Sequence, residues 1–216
     1  MIYICTHKDF ELPNIDLKDD YKIISCNPLS GNYNVPIIYA DNELNDMRKS
    51  YCEVHMIRDI YEKCDDDWVG INHYRRYFDD LELGKNTLPM PFRTNLNMQY
   101  QVCHRIKDLL QCEKIIDTYF PNYSLDYNKI DILYTANMFY LERDIFKRYC
   151  DFTFGVLNIF NEQNRLTNDK EILKFAGYDS YQARLHGFLQ ERLGTIFFLN
   201  EFKDKTPTIK NIIDTR

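Results

Sequence analysis

Apolar positions along the chain follow two rhythms. Short β-branched or aromatic runs at Ile2 to Thr6 (IYICT), Tyr21 to Cys26 (YKIISC), Pro36 to Ala40 (PIIYA) and Trp68 to His73 (WVGINH) predict strands. Polar turns such as His7-Lys8-Asp9 and the stretch NPLSGNYN bound them. Longer stretches with apolar residues three and four apart predict helices. One spans about 43–63 on Leu44, Met47, Tyr51, Val54, Ile57 and Tyr61, with Asp41 or Asn42 able to cap its start. Others are expected at about 98–119, 143–160 and 180–199, with a strand pair within Ile130 to Leu141. Residues 81–97 carry Gly, two Pro and three Asn and read as a long irregular excursion of the kind that serves as a lid. A Lys-bearing tail, 203–216, closes the chain. With no internal repeat and no linker, the pattern predicts one domain over 1–216. Its class is α/β, with a central, mostly parallel but mixed sheet flanked by helices.

Composition narrows the function classes. At 216 residues with 44% hydrophobic and 28% charged positions, the chain is too apolar for disorder. A net charge of −6 argues against a dedicated nucleic-acid binder. No apolar run approaches the roughly 20 residues of a membrane helix, and Met1 leads straight into a strand pattern. A cytoplasmic protein without a transmembrane segment is expected. The seven cysteines are scattered with no CxxC pair, which points to reduced thiols. Cys52 and His55 lie three apart without a second ligand pair at zinc spacing. The 17 Tyr and 14 Phe fit a bulky core or sugar-stacking surfaces.

Candidate chemistry gathers at strand ends, where open α/β sheets bind ligands. Three of them carry polar groups: Thr6-His7-Lys8, Asp41-Asn42 and His73-Tyr74-Arg75-Arg76. Arginine suits phosphate and a carboxylate suits a base or ribose, a recipe for a nucleotide, although each end alone also reads as a solvated turn. No GxGxxG or GxxxxGK[ST] occurs. Asp79-Asp80 could hold Mg²⁺ or Mn²⁺ against a diphosphate, or form another solvated turn. In the last helix, Arg184, Gly187, Glu191 and Gly194 share one stripe at 100° per residue. Two helical glycines imply that a backbone or ligand approaches closely, or that an exposed face tolerates them. His186 reads as a hydrogen-bonded, semi-buried histidine.

The segments ICTHKDF, GINHYRRYF, NMFYLERDIFKRYC and YQARLHGFLQERL resemble, in order, the motifs of a bacterial capsular-polysaccharide glycosyltransferase domain family. In size and pattern the chain is also similar to the amino-terminal glycosyltransferase domain of a chlorella-virus enzyme that builds capsid glycans. The resemblance implies a GT-A-type fold, a nucleotide-sugar donor (UDP-linked is expected) and a divalent metal, Mn²⁺ or Mg²⁺. It implies a glycan or glycoprotein acceptor in capsule or capsid glycan synthesis, a hexosyltransferase type of activity, a place in a larger multidomain enzyme, and the host cytoplasm if the protein is viral. On this reading Thr6, His7, Lys8, Asp41, His73, Arg75 and Arg76 bind the donor, Asp79 and Asp80 the metal, and Glu191 and Arg184 act in catalysis. Two departures stand out: no aspartate-x-aspartate motif follows WVGINHYRR, and EVH at 53–55 replaces the ELT common in related domains. The alternatives are a catalytically silent nucleotide-sugar or glycan-binding module and, ranked last, a glycosidase with paired carboxylates.

Overall fold

A computed structural model describes residues 1–12, 20–177 and 179–215. Its strands are β1 (Ile2–Thr6), β2 (Tyr21–Ser25), β3 (Ile37–Tyr39), β4 (Trp68–His73), β5 (Arg76–Phe78), β6 (Thr87–Pro89), β7 (Phe92–Arg93), β8 (Ile132–Leu133), β9 (Phe139–Glu142), β10 (Thr208–Lys210) and β11 (Ile212–Asp214). Its helices are α1 (Arg48–Tyr51), α2 (Glu53–Lys63), α3 (Leu96–Cys103), α4 (Ile106–Tyr119), α5 (Arg143–Asn164), α6 (Asp169–Ala176) and α7 (Leu185–Glu201).

The main sheet runs β10-β6-β9-β4-β1-β2-β3, with β5 attached to β4 and β11. From β3 through β2 and β1 to β4 all pairs are parallel, while β9 joins β4 antiparallel. The chain builds outward from β1 to β3, then returns to the other side of β1 as β4. Strand order therefore reverses between β1 and β4, the kind of crevice in which doubly wound sheets hold ligands. Gly70 makes the central contact possible: a Cβ there would lie 2.9 Å from Ile2 and 3.0 Å from Tyr140, its neighbours on β1 and β9.

The aromatic load is mostly core packing. Tyr149 and Phe152 of α5 meet Phe197 and Phe198 of α7, with Tyr149 and Phe198 stacked at 5.5 Å. Of the two glycines of α7, Gly194 serves this packing and Gly187 faces the end of α1. A Cβ on Gly194 would lie 3.3 Å from Tyr149, and one on Gly187 would lie 3.4 Å from Cys52 and 3.5 Å from the Tyr51 carbonyl. The close approach is thus by protein. His186 is fully buried, bonded through Nδ1 to Ser50 Oγ at 2.6 Å and through Nε2 to Asn161 Oδ1 at 2.6 Å.

Several elements differ from the sequence expectation. The helix expected over 43–63 is a 3₁₀ turn (Asn45–Met47), α1 and α2, broken at Cys52, whose φ is +53°. Its apolar rhythm still faces inward, with Leu44, Tyr51, Val54 and Ile57 buried, so periodicity alone could not reveal a one-residue break. The 98–119 helix is α3 and α4, divided where His104 and Arg105 are extended. The excursion at 81–97 contains β6, all three residues of which are buried in the sheet. β8 and β9 do not pair with each other: β8 joins β7, and β9 joins the main sheet. The last helix begins at Leu185, the tail supplies β10 and β11, and α6, capped by Asn168, adds to the expected set. No helix among the described residues is long and apolar enough to cross a membrane.

Candidate functional site

Paired turns at the carboxyl ends of β1 and β2 shape the site. Thr6 Oγ1 donates to the Lys8 carbonyl at 2.6 Å and accepts from the Lys8 N–H at 3.2 Å. Ser25, in register beside it, does the same with Asn27 at 2.7 and 3.2 Å. Asn27 Nδ2 donates to the His7 carbonyl at 2.7 Å and ties the two turns together. Side-chain bonds of this type let the backbone leave a strand sharply.

Beyond these turns and the end of β4 lies a cavity of about 440 Å³, well within the range of about 300–1,000 Å³ for small-molecule sites. Thr6, His7, His73, Arg75 and Arg184 line it, as do Asn27, Arg48, Lys49, Cys52, Glu53 and Tyr74. Among the described residues its charged lining is four cations, Arg48, Lys49, Arg75 and Arg184, against one carboxylate, Glu53. That imbalance makes it a basin for an anion.

The titratable groups feel this field. Burial lowers the basicity of His73 to a pKa of about 3, helped by Arg76, Arg75, His7 and Arg184. Neutral His73 accepts the Arg75 N–H at Nδ1, 3.2 Å away. His7 is lowered too, by burial and then by Lys8, Arg184 and Arg75. Burial raises the Glu53 carboxyl, although it accepts from Asn137 Nδ2 at 3.0 Å. Burial and Glu53 push the Cys52 thiol up to about 12 despite the Arg184 Nε 3.2 Å from its sulfur. A thiol so disfavoured as thiolate is no nucleophile.

Arg75 is held from several sides. Its carbonyl accepts the Thr215 N–H at 3.0 Å, its guanidinium lies 4.8 Å from the Tyr74 ring centroid, and its Nε is buried without a partner. The donor fork is positioned by packing, which leaves hydrogen-bonding capacity for a ligand.

The other candidates lie outside this cavity. Asp41 lines an adjoining cleft of about 550 Å³ with Asp46 and Asp169, and Arg48 and Lys49 form the shared wall. Its carboxylate accepts from Asn45 at 2.5 Å. Lys8 lines a third cleft, of about 470 Å³, which shares Tyr74 and Arg75 with the main cavity. Arg76 opens β5 and contacts Asp214 at 3.4 Å. Glu191 is turned inward: Oε1 accepts the Ala136 N–H at 2.6 Å and Oε2 meets Arg192 at 2.8 Å. Seven residues at about 1.5 Å each put it roughly 10 Å along the helix from Arg184.

Asp79 and Asp80 follow β5, and the Asp80 carboxylate, 89% exposed, lies 3.3 Å from Lys210. Among the described residues no group of three or more His, Cys, Asp or Glu is gathered to hold a metal. With four cations against Glu53 as the one carboxylate among its described residues, the cavity lining does not fit Mg²⁺ or Mn²⁺.

Sequence reasoning did not place Asn27, Arg48, Lys49, Cys52 or Glu53 in the site, and it named Tyr74 only as part of the HYRR strand end. Asn27 lies past the second strand end and Tyr74 inside HYRR, so both were within reach of the strand-end rule. The other four depend on the break at Cys52, for which the sequence has no signal.

Comparison with solved structures finds the same fold in WbbM, a bifunctional glycosyltransferase in its apo form, at a TM-score of 0.73 and 19% identity. The match covers 98% of this chain and 44% of that one, so the chain spans less than half the length of this neighbour. No curated protein gives a significant match. The profile of the domain of unknown function DUF4422 matches residues 1–93 and 88–202, most of the sheet and all of the helices that build the cavity. By that match the chain belongs to the DUF4422 family.

Proposed function

We propose that this chain is a glycosyltransferase that moves a sugar from a nucleoside-diphosphate donor, UDP-linked, to a glycan hydroxyl in capsule or capsid glycan synthesis. One observation carries the reading: four cations surround a cavity at the β1/β4 reversal point, where a diphosphate is the natural anion. The fold shared with a bifunctional glycosyltransferase supports it, and so does the family resemblance read from the motifs. That neighbour's greater length favours action as one module of a larger cytoplasmic enzyme.

Each group has a task in that chemistry. The stapled turns after β1 and β2 shape the wall for nucleoside; the Thr6 hydroxyl is spent on its turn, while His7 faces the cavity. Arg75, Arg184, Arg48 and Lys49 take the diphosphate. As the glycosidic bond breaks, negative charge grows on the leaving phosphate, and arginines fixed before the reaction stabilise it without reorganising. Neutral His73 offers Nε2–H as a donor, since Nδ1 accepts from Arg75. Asp41 and Lys8, which line the clefts that share walls with the cavity, take the outer parts of donor or acceptor on this reading.

The test is release of nucleotide from UDP-sugars by the purified chain, with water as acceptor. Slow but saturable UDP release, abolished in Arg75→Gln, supports a transferase. UDP binding with no release marks a silent binding module of the same fold.

A further inference from the structure

The reaction needs a group to take the acceptor proton, and among the described residues Glu53 is the only carboxylate lining the cavity. It opens α2 directly after the positive-φ residue Cys52. The break there aims the first turn of α2 at the ends of β1 and β4. One oxygen of Glu53 accepts the Asn137 amide at 3.0 Å. Asn137 also reaches the Gly187 carbonyl at 3.4 Å, so it joins Glu53 to α7.

The segment presenting Asn137 is unusual. Ala136 and Asn137 have φ of +66° and +50°, two successive non-glycine residues in the left-handed region. Such a turn persists only when its surroundings hold it, and it concentrates at functional sites. What holds it is Glu191, through the 2.6 Å bond to the Ala136 N–H. Glu191 is fixed in turn by Arg192 at 2.8 Å, a fully buried arginine that also donates to the Phe188 carbonyl at 2.9 Å and to Gln99. An unbroken line of contacts thus runs from Arg192 through Glu191 and the Ala136-Asn137 turn to Glu53 in the cavity.

We propose that Glu53 is the catalytic carboxylate and that Glu191 is a positioning residue acting on it through this turn. The assignment rests on the glycosyltransferase reading. In the step, the acceptor hydroxyl oxygen bonds to the anomeric carbon. The bond from that carbon to the diphosphate oxygen breaks, and its electron pair leaves with the nucleotide. The hydroxyl proton passes to the Glu53 carboxylate. Arg184 and Arg75 offset the charge on the departing phosphate. Burial raises the proton affinity of Glu53, in the direction that suits a base working near neutrality. The Asn137 bond favours the charged form and keeps that rise in check.

Wild type, Glu53→Gln, Glu191→Ala and Glu191→Gln are compared by calorimetric titration with UDP, by UDP release from UDP-glucose across pH 5–9, and by thermal melting. Glu53→Gln should bind UDP within about threefold of wild type, while release falls on the order of 100-fold and its acidic limb disappears. Glu191→Ala should keep KM, lower kcat and move the acidic limb of kcat to higher pH, because Glu53 loses the Asn137 amide that favours its charged form, a larger influence than the Glu191 charge lost with it; Glu191→Gln, whose amide oxygen can still accept the Ala136 N–H, should not show that move. A purely structural Glu191 would lower the melting temperature and leave that limb in place, which would overturn the positioning role. Wild-type release from Glu53→Gln would overturn the catalytic role. If Glu53→Gln does not fold, Glu53→Asp keeps the charge but withdraws it, and unchanged release there is equally decisive. A wild type that neither binds UDP nor cleaves UDP-glucose overturns the glycosyltransferase reading itself, a result distinct from the others.

Discussion

Replacing Arg75 by Gln should selectively weaken recognition of phosphate. The Arg75 backbone is pinned by His73 Nδ1 at 3.2 Å and Thr215 at 3.0 Å, and its guanidinium stacks on Tyr74 at 4.8 Å. Little side-chain entropy therefore remains to be lost on binding, and the buried Nε has no internal partner to give up. A hydrogen bond to a charged group contributes about 1.5–3 kcal/mol, which converts to a rise in Kd of about 10- to 150-fold at 1.4 kcal/mol per decade. The loss should be largest for UDP, smaller for UMP and near zero for uridine, because the guanidinium meets only phosphate. Arg75→Lys should fall between, since it retains the charge without the planar fork. Calorimetric titration at low salt, with melting curves to confirm folding, measures all three ligands. An unchanged UDP affinity, or an equal loss for uridine, refutes this assignment of the cationic wall.

Three further outcomes follow from the packing and charges. Gly187→Ala should stabilise by up to about 1 kcal/mol, because its Cβ meets Cys52 at an ordinary 3.4 Å while helix propensity improves; Gly70→Ala, at 2.9 Å from Ile2, should destabilise by about 1–3 kcal/mol, both read by urea unfolding. His186 is held neutral, with burial lowering its pKa to about 3 from 6.5, so its contribution is complete above pH 6.5 and lost as pH falls toward 3. At pH 5 that loss is about 2 kcal/mol, and His186→Gln should flatten the fall in melting temperature between pH 7 and 5. UDP affinity should be the same with Mn²⁺ as with chelator, in wild type and in Asp79→Ala/Asp80→Ala alike; a metal-dependent gain that the double variant loses would restore those carboxylates as ligands.

Much of the sheet was legible because β1, β2 and β4 are apolar runs closed by polar turns, and that pattern alone locates the carboxyl ends at which ligands bind. Thr6, His7, His73 and Arg75 stand at those ends, Arg184 was read instead from the stripe of the last helix, and the fold brings all five to one cavity. Asp41 stands at the end of an outer strand, one cleft away, and Arg76 leaves with β5 toward Asp214. Three-residue strands such as β6, β10 and β11 depend on partners far along the chain, which no local rhythm encodes. The same limit hid Glu53. Its place in the cavity follows from the single positive-φ residue before it, and that break is matched to Gly187 on a helix more than a hundred residues away. The stripe in the last helix did contain two residues of consequence. Only the fold shows that Arg184 meets the cavity while Glu191 meets the turn behind it.

On the proposed function, the cationic cavity holds a nucleoside diphosphate linked to a sugar. A thermal-shift panel of UDP-, GDP-, CMP- and dTDP-linked sugars on the intact chain measures this directly, since a ligand of the folded state stabilises by RT ln(1 + [L]/Kd). The UDP sugars should give a saturable rise in melting temperature that exceeds the other three and shrinks at equal ligand concentration in Arg75→Gln. No shift with any member of the panel, or equal shifts in wild type and Arg75→Gln, would contradict the proposed function.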